Sequence, residues 1–262
     1  MYKYHPVENP QGGYVGGDMA QKTGSMVGRV AVVAGASGGI GRAITVALSR
    51  EGTRVCALGR NPNALAETVA ATRQYAQATA FQIDLALESN FQAVLQHLEE
   101  VRSLDILIHC AGAIHQDVME HACVQDLDLQ YSINVRAPYL LTQHLLPLLI
   151  SSRGQIVFIN SSVGLTAKRS NIGQYAATKH ALKALAESLR EEVNPKGVRV
   201  LSAYLGRTAT PMQEALFGNE GKPYHPETLL QPEDVASMIV HALMLPSTAE
   251  VTDISIRPMR KS

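Results

Sequence analysis

The sequence has no tryptophan and only four phenylalanines, and it carries no net charge, with 23 Lys and Arg against 23 Asp and Glu in 262 residues. A balanced charge excludes the basic surface that nucleic acid or an anionic membrane demands. No run approaches the ~18 uninterrupted apolar residues of a membrane span. The richest segment, 139–150, is broken by Gln143, His144 and Pro147. Three cysteines, Cys56, Cys110 and Cys123, cannot all pair and form no Cys-x-x-Cys, so they read as reduced thiols. The N-terminus lacks both the apolar stretch of a signal peptide and the Arg-rich face of a transit peptide, and the expected location is cytoplasmic. His109, Cys110, His115, His121 and Cys123 crowd one stretch without the compact spacing of a zinc site, so no metal is expected.

What is present is a core-forming chain: 46% of residues are hydrophobic and 18% charged. That length and composition suit one domain. Residues 1–27 stand apart, rich in glycine with Pro6 and Pro10. They read as an N-terminal extension, either a loose tail or an arm anchored on a neighbouring subunit by Tyr2, Tyr4 and Tyr14. From Gly28 to residue 262, β-branched runs alternate with helical patterns. Strands are expected at Arg29–Ala34, Arg54–Leu58, Thr79–Ile83, Asp105–Cys110, Gln155–Asn160, Val198–Ala203 and Val251–Ile256. Most are continuously apolar, as in parallel strands covered on both faces. Helices are expected from near Ile40, from Asn61-Pro62, over Phe91–Val101, over about 125–150 and 173–193, and from Gln231-Pro232. The fold class is α/β, a doubly wound parallel β-sheet of Rossmann type in a single domain.

The first strand runs into Gly35-Ala36-Ser37-Gly38-Gly39-Ile40-Gly41. A glycine loop between a first strand and a helix lets backbone amides and the positive helix end meet a pyrophosphate. The second strand ends Gly59-Arg60-Asn61, with no acid to bind ribose hydroxyls and a guanidinium suited to a 2′-phosphate. NADP(H) is therefore expected over NAD(H). Downstream, Tyr175 and Lys179 lie four apart on one helical face, and Ser162 follows the strand Gln155–Asn160. A tyrosine with pKa near ~10 needs a neighbouring cation to act as an acid–base catalyst at neutral pH, and Lys179 is spaced to provide one.

The glycine loop, with Ser162 thirteen residues before Tyr175 and Lys179 four after it, resembles the short-chain dehydrogenase/reductase family across 28–257. The resemblance implies that Tyr175 exchanges the proton at the substrate oxygen, Lys179 lowers its pKa and holds the nicotinamide ribose, and Ser162 orients the carbonyl. It further implies that Asn134 supports a proton-relay water. Asp84 and Leu85, with Ala111 and Gly112, would line the adenosine side, while Gly206, Thr208 and Thr210 would hold the nicotinamide side. Three departures stand out: Ala34 costs a loop hydrogen bond, His109 alters the fourth strand's bonding, and Leu205 replaces a proline and is expected to loosen its turn. The 211–231 segment corresponds to the family's substrate lid, with Met212, Leu216 and Phe217 as an apolar helix. No Arg or Lys is clearly placed to clamp a substrate carboxylate; Lys168 and Arg169 read as solvated. The implied activity is hydride transfer between NADP(H) and a small carbonyl or alcohol substrate, as an NADPH-dependent reductase. A homodimer or homotetramer built on the helices at 125–150 and 173–193 is implied as well. The alternatives are an NAD-dependent alcohol dehydrogenase and a cofactor-binding regulatory protein without turnover.

Overall fold

Seven apolar segments become seven parallel strands of one sheet. The computed structural model describes residues 26–260, in which the strands are β1 (Val30–Ala34), β2 (Arg54–Gly59), β3 (Ala78–Gln82), β4 (Ile106–His109), β5 (Gln155–Ser161), β6 (Arg199–Leu205) and β7 (Asp253–Ile256). Their order is β3-β2-β1-β4-β5-β6-β7, and each neighbouring pair is parallel. The order reverses between β1 and β4, and the crevice beyond their carboxyl ends is where such sheets take ligands.

Helices α1 (Gly39–Arg50), α2 (Pro62–Thr72) and α8 (Pro232–Leu243) cover one face, packing Ile44, Leu48, Leu65 and Ile239 on Ala31, Val33 and Val157. Helices α3 (Gln92–Val101), α5 (Ala137–Ser152) and α6 (Gly173–Val193) cover the other, with Leu98, Leu141, Leu145 and Leu182 on Val32, Leu107 and Ile156. Both faces of the five central strands are thus buried, the physical reason their sequences show no alternation, while the edge strands β3 and β7 are partly exposed. The remaining helices, α4 (Val124–Tyr131) and α7 (Pro211–Asn219), stand near the carboxyl edge.

Strand ends shift from the sequence reading by up to two residues, and one helical segment differs in kind. The pattern at 125–150 is not one regular helix: α4 and α5 are joined by a π-type turn at Ser132–Arg136, where the Ala137 N–H bonds the Ser132 carbonyl. The buried Asn134 side chain, tied to a neighbouring loop, accounts for that extra residue. At the other end, the arm expected over 1–27, with its three tyrosines, lies outside the described residues up to position 25. Met26 is 2% exposed and packs into the core, its carbonyl accepting from Thr53 Oγ1 at 3.2 Å.

Helix α1 sits close on β1 because Gly41 lacks a side chain: a Cβ there would stand 2.1 Å from the Gly35 carbonyl oxygen. Gly38 has open space instead, with nothing within 4 Å of an added Cβ. Gly41→Ala is expected to lower the urea midpoint by the equivalent of about 1–3 kcal/mol, the cost of overpacking. Gly38→Ala should stay within about 0.5 kcal/mol of the parent. Equal midpoints for the two variants would refute the close-packing role of Gly41.

Candidate active site

The loop after β1 has room for backbone and little else. Gly35, at φ +90°, faces the loop after β4 so closely that a Cβ would meet the Ala111 nitrogen at 2.5 Å. Gly39, at φ +51°, approaches the Thr210 side chain. No side chain caps the amino end of α1, so its first amides face the cleft unclaimed by a cap. The cleft encloses about 740 Å³, and its wall includes Gly35, Ser37, Gly38, Gly39 and Ile40. This is a cradle that an added Cβ at Gly35 would close, and it fits the diphosphate of a dinucleotide.

Most expected contacts line the same cleft. Arg60 is exposed on its wall, and no hydrogen bond or ion pair to another described residue engages it. Asn61 lines the wall too, while its side chain caps α2 by accepting from Ala64 N at 3.1 Å. Leu85, Ala111, Gly112, Gly206, Thr208 and Thr210 complete the lining. Asp84 does not: its carboxylate turns back to accept from Ala86 N at 3.0 Å, and Ile83 takes a place in the wall instead. Gly41 also lies off the wall, beneath the loop it supports.

Helix α6 brings Tyr175 and Lys179 to the cleft, as their spacing predicts. Lys179 is 4% exposed and donates to the Ile159 carbonyl at 3.2 Å, with Nζ 5.7 Å from the centre of the Tyr175 ring. Burial pushes the lysine down to about 8. The same burial pushes the Tyr175 phenol up to about 12, against which a hydrogen bond with the Ser161 side chain acts. Asn134 occupies the wall's underside rather than the wall itself. Its Oδ1 accepts from Ala113 N at 2.8 Å, and its Nδ2 donates to Ala113 O at 2.8 Å and Thr178 Oγ1 at 2.9 Å.

The serine whose side chain acts on the Tyr175 phenol is Ser161, one residue before the Ser162 that the sequence reading names. Strand β5 extends through Ser161, paired with Leu205, and Ser162 begins the short turn at Ser162–Gly164. Ser161 lies fourteen residues before Tyr175 and Ser162 thirteen. Ser162 still lines the cleft.

The three departures have distinct outcomes. His109 is buried, stacked on Phe158 at 4.9 Å with Nε2 2.8 Å from Thr142 Oγ1, and burial pushes its pKa down to about 3. It is a neutral packing residue. Leu205 does not loosen its turn: β6 continues through it, and Gly206 N donates to Ile256 O at 2.7 Å. Ala34 simply ends β1 in the core. No group of His, Cys, Asp or Glu able to hold a metal occurs among the described residues.

The lid region holds what sequence reasoning missed. Helix α7 places Met212 and Leu216 on the cleft, while Phe217 turns inward beneath the Arg207 guanidinium, 4.5 Å from its ring centre. Just past α7, Glu220 is bonded by Arg169, by Lys222 at 2.9 Å and by Arg207 through two contacts of 3.0 Å. Burial raises the Glu220 pKa, but bonds from Lys222, Arg207 and Gln116 and the Arg169 charge prevail and hold it down to about 2. Arg169, read from the sequence as solvated, is a wall residue of the cleft. Nothing in the sequence marks Glu220, since its partners come from three separate loops.

Comparisons with known proteins agree with this geometry. The short chain dehydrogenase family model matches residues 29–221. An uncharacterised oxidoreductase from Staphylococcus epidermidis is 32% identical over 234 residues, covering 88% of this chain and 97% of that one. The structure of a short chain dehydrogenase from Shigella flexneri complexed with NADP is similar at a TM-score of 0.79 and 31% identity, covering 89% of this chain and 99% of the other. A 3-ketoacyl-(acyl-carrier-protein) reductase from Brucella melitensis, complexed with NADH, shares the fold at a TM-score of 0.78 and 23% identity, over 88% and 98% of the two chains. With its seven-stranded parallel sheet, glycine cradle and Tyr175–Lys179 pair, this chain belongs to the short-chain dehydrogenase family of oxidoreductases that use a nicotinamide cofactor.

Proposed function

We propose that the protein is an NADP(H)-dependent reductase of small ketones or aldehydes, with Tyr175 as its general acid. The carrying observation is the convergence of Tyr175, Lys179 and the Ser161 hydroxyl on a glycine-walled cleft. When bound, the cofactor supplies the hydride that reaches the carbonyl carbon. The chain supplies the rest. Ser161 and Tyr175 donate hydrogen bonds to the carbonyl oxygen, and Tyr175 passes its proton to the alkoxide as charge develops there. A phenol held near 12 remains protonated at neutral pH, the state that reduction requires. Lys179, cationic below about 8, stabilises the phenolate left behind and reaches the ribose hydroxyls. Asn134 fixes the loop at Ala113 against α6 through Thr178, and so holds the cleft wall beside Tyr175 and Lys179.

The preference for NADP(H) rests on Arg60, an exposed guanidinium on the adenosine wall with no acid beside it at Gly59. The NADP complex of the Shigella relative supports this choice; the NADH complex of the Brucella reductase belongs to a more distant sequence. Association into a dimer or tetramer through α4 and α5 is part of the proposal, supported by Leu129, Tyr131 and Tyr139, which are 40%, 51% and 52% exposed.

Tyr175→Phe is expected to cut kcat for carbonyl reduction by about 10²–10⁴-fold, the usual span of a lost general acid. Ser161→Ala should cost about 10²-fold, as for a lost oxyanion donor, with Ser162→Ala far milder. The reverse ranking of the two serines would return the role to Ser162. In fluorescence titrations NADPH should bind more tightly than NADH, and Arg60→Ala should erase the difference. Tighter NADH binding by the parent would overturn the cofactor assignment. Reduction should also slow as pH rises through about 8, where Lys179 loses its proton; a flat profile from pH 7 to about 9 would remove the lysine from its role.

A further inference from the structure

We propose that Arg169 and Arg207 receive a carboxylate of the substrate, so that the carbonyl compounds reduced here are oxo acids with an apolar body. This rests on the reductase reading above and narrows its substrate class. Strand β6 ends where Leu205 pairs with Ser161, and Arg207 follows two residues past that pair. Both arginines belong to the cleft wall that Ser161, Ser162 and Tyr175 also line.

The cluster is neither charge-balanced nor fully bonded. Three cations, Arg169, Arg207 and Lys222, converge on the single carboxylate of Glu220, leaving two positive charges over. Among the described residues no other carboxylate is paired with any of them. Arg207 gives Nη2 to both oxygens of Glu220, yet its Nη1 is buried and has no hydrogen-bond partner. A latch serving only the fold would be expected to satisfy its buried donors. An unpaired guanidinium nitrogen beside surplus positive charge calls for a second acceptor. Glu220 already shows which acceptor the fork takes, a planar carboxylate. The Phe217 ring stacked 4.5 Å from the Arg207 guanidinium fixes that fork in place. Ile172, Met212 and Leu216 on the same wall give the substrate's remaining body an apolar surface.

The test titrates the protein, with and without NADP⁺, with hexanoate and with hexanamide by calorimetry. It then compares reduction of 4-oxopentanoate with that of its methyl ester. Hexanoate should bind, and the oxo acid should be reduced, at least about tenfold better than the neutral counterpart, the scale of one charge-assisted bond. Arg169→Gln, at a half-exposed position, should shrink both ratios; Arg207→Lys, which keeps the charge and loses the fork, should do so too. NADPH binding by each variant serves as the check on folding. Equal binding of hexanoate and hexanamide, or ratios unmoved in both variants, would overturn the carboxylate site. Reduction of acid and ester at equal rates would likewise remove the site while leaving the reductase in place. Arg169-dependent binding of hexanoate without reduction of any carbonyl compound would keep the site and refute the reductase.

Discussion

The architecture depends on one place where backbone meets backbone, at the carboxyl end of β1. The Gly35 Cα, the Ala111 nitrogen and the start of α1 crowd so tightly that no side chain fits between them. Because the strand order reverses there, the loops after β1 and β4 part company just beyond this contact and open the cleft. The amides of α1 are then left facing it without a side-chain cap. Gly59 extends the same logic to β2, where an added Cβ would stand 2.9 Å from the Ser37 side chain. The cradle is a product of missing side chains, and the strands beneath it are apolar enough to hold it rigid.

Burial sets the acid–base character of the site. It drives the phenol of Tyr175 and the ammonium of Lys179 towards their neutral forms, raising the proton affinity of the one and lowering that of the other. The pair begins a reduction with a phenol that keeps its proton until a stronger base forms beside it. Such a base is an alkoxide. Positive charge elsewhere in the cleft is arranged separately, around Glu220, and serves the substrate's far end rather than the proton.

The fold was legible because each strand is a short apolar run and each helix begins at a recognisable signal. Asn61-Pro62 caps and opens α2, and Gln231 with Asp234 forms a reciprocal cap on α8. Tyr175 and Lys179 were legible because helical spacing alone puts them together. Ser161 was not, since the length of an irregular loop cannot be read by counting, and one residue decides which serine meets the phenol. The turn at Asp84 was not legible either: its carboxylate accepts from the amide two residues on. The Glu220 cluster was invisible because its members, 116, 169, 207, 220 and 222, meet only once three loops have folded over the sheet edge.

The π-type turn between α4 and α5 ties catalysis to packing through phase. One residue advances an α-helix by about 100°, so the extra residue at Ser132–Arg136 sets the rotation of everything after it. Within the turn, Asn134 holds the loop of Ala113; downstream, the rotation turns Leu141, Leu145 and Leu149 into the core. A one-residue deletion that regularised the helix would satisfy its backbone and dislocate both at once. The segment is therefore closed to length variation.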